Sequence, residues 1–177
     1  MKLLSKISAI FCAFMVLATS VVYASPQEVK KDNKDVIEVE VLYGGTQRST
    51  LDEVELDDGT KLGDHEYIVK ESPNMNDARW GSYVNYAGWI TRNGVVSLSI
   101  DPTTKVRNDR GYRDAAWHAL ASPTHGFASS PKWKNTKVMG WQFDCHFAGA
   151  KHKQYWNLEP HRVANSYAYV VLHLCNP

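Results

Sequence analysis

The amino-acid sequence predicts an α+β fold: a small β-rich domain with one or two short helices, stapled by one disulfide. Three observations lead there. Apolar residues alternate at period two in several short runs, and a stretch near the middle has capped helical spacing. Two cysteines also stand in the part of the chain that an amino-terminal leader would deliver to an oxidising compartment. The 177 residues are 44% hydrophobic, 22% charged and formally +1. This suits one core of ordinary size and disfavours a disordered tail, a fibrous repeat or a polytopic membrane protein.

Residues 1–24 read as a secretory signal peptide. Lys2 and Lys6 form its positive end, Ile7 to Val22 its apolar stretch, and Val22-Tyr23-Ala24 its cleavage site. The expected localisation is secreted and extracellular, with no stable membrane insertion. Cys12 leaves with the leader. Cys145 and Cys175 then remain, with one intramolecular pairing open to them.

Charge divides the rest of the chain. Residues 25–78 carry 6 Lys/Arg against 14 Asp/Glu, whereas residues 79–177 carry 12 against 5 and hold all six tryptophans. The first part, 25–78, reads as an acidic polar leader followed by short β-strands at 36–42, 51–56 and 66–70. Gly44-Gly45 and Asp57-Asp58-Gly59 supply turns between them. One account of this segment is a solvated β-meander; the other is an intramolecular polyanion lying over the basic half.

The second part, 79–177, reads as a basic, aromatic-rich domain. Trp89–Arg92 and Val95–Ile100 flank Asn93-Gly94, a preferred two-residue hairpin turn because both residues tolerate positive φ. Asp101-Pro102 stops the second strand. Residues 109–120 form a helix with Asn108 or Asp109 as its cap. Residues 139–150 fit a strand and a helix equally. Ser166–Leu174 reads as a last strand, with Val170, Leu172 and Leu174 on one face.

GxGxxG, P-loop, HExxH, paired CxxC and GxSxG patterns do not occur. Dinucleotide enzymes, kinases, zincins and α/β-hydrolases are therefore disfavoured, and neither a cofactor nor a metal is expected. Candidate chemistry gathers in Gln142–His146, Trp156–Arg162 and Cys175–Pro177. His146 as acid or base, Glu159 as its partner and Arg162 as an anion clamp would suit hydrolysis of a phosphodiester, glycan or amide. A purely structural network is the bland alternative. Arg107, Arg110 and Arg113 recur at three-residue spacing, and Lys132, Lys134 and Lys137 cluster beside Trp133. With six tryptophans, some expected at the surface, they point to a polyanion partner.

The strings QFDCH, WNLEPHR and CNP, with Trp89, Arg92 and Ser97-Leu98-Ser99 upstream, resemble a family of small secreted proteins of Gram-positive bacteria. That family is catalogued as domain of unknown function 2599, and the resemblance covers about residues 80–177. It implies that Gln142, Cys145, His146, Trp156, Asn157, Glu159, Arg162 and Cys175 are signature positions. Gln142, Trp156, Asn157 and Arg92 are the candidate binding residues. Some similar proteins look like phage-carried antibacterial factors. The expectation is an extracellular effector or toxin in bacterial competition, acting on an envelope or polyanionic target, with an immunity protein as a partner. The alternatives are a secreted hydrolase using His146 and Glu159, and a non-catalytic module for anionic wall polymer or nucleic acid.

Overall fold

A computed structural model describes residues 36–72 and 77–177. The signal peptide expected at 1–24 and the polar stretch up to residue 35 lie outside the described residues. Within them, five strands form one sheet in the order β2-β1-β3-β4-β5. The strands are β1 Ile37–Tyr43, β2 Tyr67–Glu71, β3 Val84–Arg92, β4 Val95–Pro102 and β5 Trp156–Leu158. The helices are α1 Arg48–Leu51, α2 Thr104–Asn108, α3 Arg110–Leu120, α4 Thr136–Gly149 and α5 Tyr167–Leu172. The fold is α+β, and a disulfide joins Cys145 to Cys175.

The hairpin forms where its turn chemistry places it. Asn93 and Gly94 take φ of 52° and 77°, and Arg92 pairs with Val95 across the turn. Asp109 caps α3, accepting from the Tyr112 amide at 3.0 Å. Period-two alternation in β1 sends Ile37, Val39 and Val41 into one core.

The sheet is covered on both faces. On one, Trp89, Leu98, Ile100, Trp156 and Leu158 meet Ala116 and Leu120 of α3 and Met139 and Phe143 of α4. On the other, Val39, Val41, Tyr86 and Ile90 meet Leu51, Val54, Leu56 and Leu62, all from the acidic segment. The described part of that segment is therefore built into the sheet rather than laid over the basic half, since β1 lies between β2 and β3. Its acidic groups find cations within the fold: Glu40 pairs with Lys132 at 2.8 Å, Glu38 with Lys70 at 2.7 Å, and Asp58 with Arg92.

Two strands expected from the sequence do not form. Residues 51–56 keep the alternation, with Val54 and Leu56 buried, but pair only through one bridge, Glu55 to Lys61. Ser166–Leu174 is helical. Ser166 accepts from the Tyr169 amide at 3.2 Å and caps α5, and Val170 is its one buried residue. β-branched side chains favour strands only where a neighbouring strand can be paired, and here β5 already occupies the sheet edge.

Trp80, Trp89 and Trp156 are buried, whereas Trp117, Trp133 and Trp141 are half-buried. Trp89, Trp133, Trp117, Phe143 and Trp156 contact one another in sequence with centroids 5.4–6.4 Å apart, and Trp80 packs on Phe127 at 4.5 Å. Of the three arginines at three-residue spacing, Arg107 and Arg113 are half-buried and Arg110 is exposed. Arg107 donates to the carbonyls of Pro102 and Lys151 at 2.8 Å, and to those of Lys153 and Gln154. It also pairs with Asp101 at 2.8 Å. One guanidinium thus ties α2 to the end of β4 and to the loop before β5. Arg107→Lys keeps the charge and loses the planar fork, so urea unfolding should show a loss of about 2 kcal/mol. Unchanged stability would mean that the carbonyls do not depend on the clamp.

Candidate functional site

The motif Gln142-Phe143-Asp144-Cys145-His146 lies on α4, which resolves the ambiguity of 139–150 in favour of a helix. Gln142, Cys145 and His146 stand at i, i+3 and i+4 and so share one face. Each meets a different piece of the carboxyl-terminal chain. Gln142 Oε1 accepts from the Glu159 amide at 3.0 Å. Cys145 is bonded to Cys175, with Cα atoms 5.4 Å apart. His146 Nε2 lies 3.3 Å from the Asn157 carbonyl. A carbonyl only accepts, so Nε2 carries the proton of the neutral ring. The ring also stacks on Trp156, with centroids 5.8 Å apart.

Glu159 and Arg162 complete the cluster. Arg162 donates through Nε to Oε2 at 2.6 Å and through Nη2 to Oε1 at 3.2 Å, a bidentate pair. Asn135 Nδ2 donates to the Arg162 carbonyl at 2.5 Å, so the 159–162 turn is tied to the start of α4 as well as to Gln142. Asn157 Nδ2 reaches across to the Glu55 carbonyl at 3.1 Å, linking the motif to the acidic segment. No hydrogen bond joins His146 to Glu159 among the described residues.

Access decides what this cluster can do. Gln142, His146, Asn157 and Glu159 are 0%, 3%, 6% and 1% exposed. Burial, reinforced by the nearby cations Lys153 and Arg107, pushes the His146 imidazole down to about 4, against the bond to Asn157. It is therefore neutral at physiological pH. Gln142 Nε2 and His146 Nδ1 are enclosed without a protein partner. Arg92 stands apart, at the hairpin end of β3, where it pairs with Asp58. Trp156 is wholly buried, with Arg107 over its ring at 5.4 Å. Among the described residues no group of three His, Cys, Asp or Glu side chains could hold a metal ion.

Tyr86 and Ser99 were not legible as partners of this region. In register, Gly88 of β3 faces Ser99 of β4, and Ser99 faces Asn157 of β5. A Cβ at Gly88 would collide with the Tyr86 hydroxyl, so that hydroxyl lies along the same polar row. The available signals were Ser99 in the Ser97-Leu98-Ser99 string and a glycine inside the otherwise bulky Tyr86–Ile90 run.

The geometry defines a disulfide-stapled α+β domain whose signature polar residues fasten one helix to the last strand and the carboxyl terminus. Residues 84–177, just over half of the chain, match the family described as protein of unknown function DUF2599. The chain belongs to that family. No curated protein and no solved structure matches it.

Proposed function

We propose that this protein is a secreted bacterial effector that acts on the envelope of neighbouring cells by binding, without turning over a substrate. The observation that carries the reading is the enclosure of Gln142, His146, Asn157 and Glu159, none more than 6% exposed. A general acid or base must come within hydrogen-bond reach of the reacting group, and these side chains face protein instead. The outer surface offers different chemistry. Arg110, Lys134 and Lys137 are exposed on the basic half, and half-buried Trp141 lies under the Lys137 ammonium at 4.8 Å.

The test is growth of a diverse bacterial panel exposed to purified, oxidised protein, with His146→Ala alongside. Inhibition of some strains by both proteins, each shown to be folded, is the expected result. Loss of inhibition in a folded His146→Ala variant would favour the hydrolase. Harmlessness of the wild type to every strain would overturn the effector reading.

A further inference from the structure

We propose that the carboxyl-terminal segment 163–174 is a docking tip that inserts its side chains at the interface of an anionic phospholipid bilayer. This rests on the envelope reading above and names the part of the envelope engaged. Among the described residues, ten large hydrophobic side chains are exposed, and six of them fall within these twelve positions: Val163, Tyr167, Tyr169, Val171, Leu172 and Leu174. Val163, Leu172 and Leu174 are 79%, 79% and 86% exposed. Side chains that protrude so fully bury their apolar surface only by entering another medium. They suit a soft apolar medium, with the tyrosines at headgroup level.

The backbone at the tip is a second, independent observation. Leu174 and Cys175 have φ of 54° and 76°, a region where non-glycine residues are strained. The turn is held by the Cys175 amide on the Val170 carbonyl at 3.0 Å and the Asn176 amide on the His173 carbonyl at 3.1 Å. The disulfide anchors it to α4. A glycine at 174 would make this turn without strain but would present no side chain. The chain instead holds a leucine there, facing solvent.

Charge selects the anionic bilayer. From Pro160 to Pro177 the sequence has no Asp or Glu. Beneath the tip, Trp141 packs on the cluster of Cys145, Val170 and Cys175 and carries the Lys137 ammonium over its outer face. Arg110, Arg113, Asp144, Trp141 and Tyr167 line an adjoining shallow groove of about 410 Å³, large enough for a phosphate headgroup. Arg113 is paired there with Asp144 and Asp114, so exposed Arg110 is the groove's cation for a phosphate. Tyr167 thus belongs both to the groove and to the apolar tip. Apolar insertion together with cations at the lipid surface is the two-signal combination that stable peripheral binding needs.

The experiment is sedimentation with vesicles of phosphatidylglycerol and phosphatidylcholine in equal parts, or of phosphatidylcholine alone. The protein is recovered after export, and mass spectrometry establishes its amino terminus so that the apolar leader contributes nothing. Binding to the anionic vesicles is expected. The pair Leu172→Asp and Leu174→Asp should weaken it at least about tenfold with Tm unchanged, because both side chains are exposed. Leu174→Gly should also weaken binding while Tm holds or rises, since it relieves the positive φ. Arg110→Gln and Lys137→Gln should each reduce the anionic preference about fivefold. No binding to the anionic vesicles, or binding unchanged by the two aspartates, overturns the proposal. Inhibition of growth by wild type without vesicle binding overturns the tip and leaves the effector reading standing. Vesicle binding without inhibition of any strain does the reverse.

Discussion

Replacing Cys145 and Cys175 together by serine is expected to lower the free energy of unfolding by about 3–4 kcal/mol. The two positions are 30 residues apart, so the bond removes considerable loop-closure entropy from the unfolded chain. On the folded side there is little to compensate. Val170 is the one buried residue of α5, and only Trp141 and Ala164 pack partly against the cluster it forms with the disulfide. Urea unfolding of the double variant against the oxidised wild type measures the loss. Amide exchange should place the first opening in residues 167–175, well before β3 and β4 exchange. A loss below about 1 kcal/mol would show that the reduced, unfolded chain is already compact.

Acidification from pH 7 to pH 4 should cost about 3 kcal/mol of stability through His146 alone. Burial, with Lys153 and Arg107 nearby, moves its imidazole from 6.5 to about 4 in the folded protein. Between those values the unfolded chain binds a proton that the folded chain refuses. Stability is therefore complete above pH 6.5, falls as the pH drops through the window, and levels off below 4. Asp58 acts at lower pH. The Thr60 and Arg92 hydrogen bonds hold its carboxyl far below the usual range, so its contribution is lost only under stronger acid. Asp144 acts in the opposite sense, because burial raises its carboxyl despite Arg113. His146→Phe keeps a ring against Trp156 and removes the titration. Its stability should change little between pH 6.5 and 4, and a slope equal to that of the wild type would assign the acid sensitivity elsewhere.

Both expectations concern the motif that a sequence reader would first take for an active site. QFDCH and WNLEPHR are conspicuous because they combine imidazole, amide, carboxylate and guanidinium, which is also what a buried structural network requires. The spacing of Gln142, Cys145 and His146 was readable as a helical face only after residues 139–150 were known to be helical. Their partners, the Glu159 amide and the Asn157 carbonyl, are backbone groups that no side-chain pattern announces. The clamp made by Arg107 is hidden from the sequence for the same reason, since most of its acceptors are main-chain carbonyls.

What the sequence determined by itself is local. The Asn93-Gly94 turn, the Asp109 cap and the alternation of β1 depend on neighbouring residues, and the Cys145–Cys175 pairing follows from counting the cysteines outside the expected leader. Tertiary structure decided what is non-local. It placed acidic β1 inside the sheet between β2 and β3, closed 51–56 into a turn, and made 167–172 helical. It also sealed His146 and Glu159 while leaving Leu172 and Leu174 in solvent. Turn and cap energies belong to a few adjacent dihedrals and can be read in sequence order. Strand neighbours and burial depend instead on which apolar faces across the whole chain cover one another, and that sum exists only once the chain has folded.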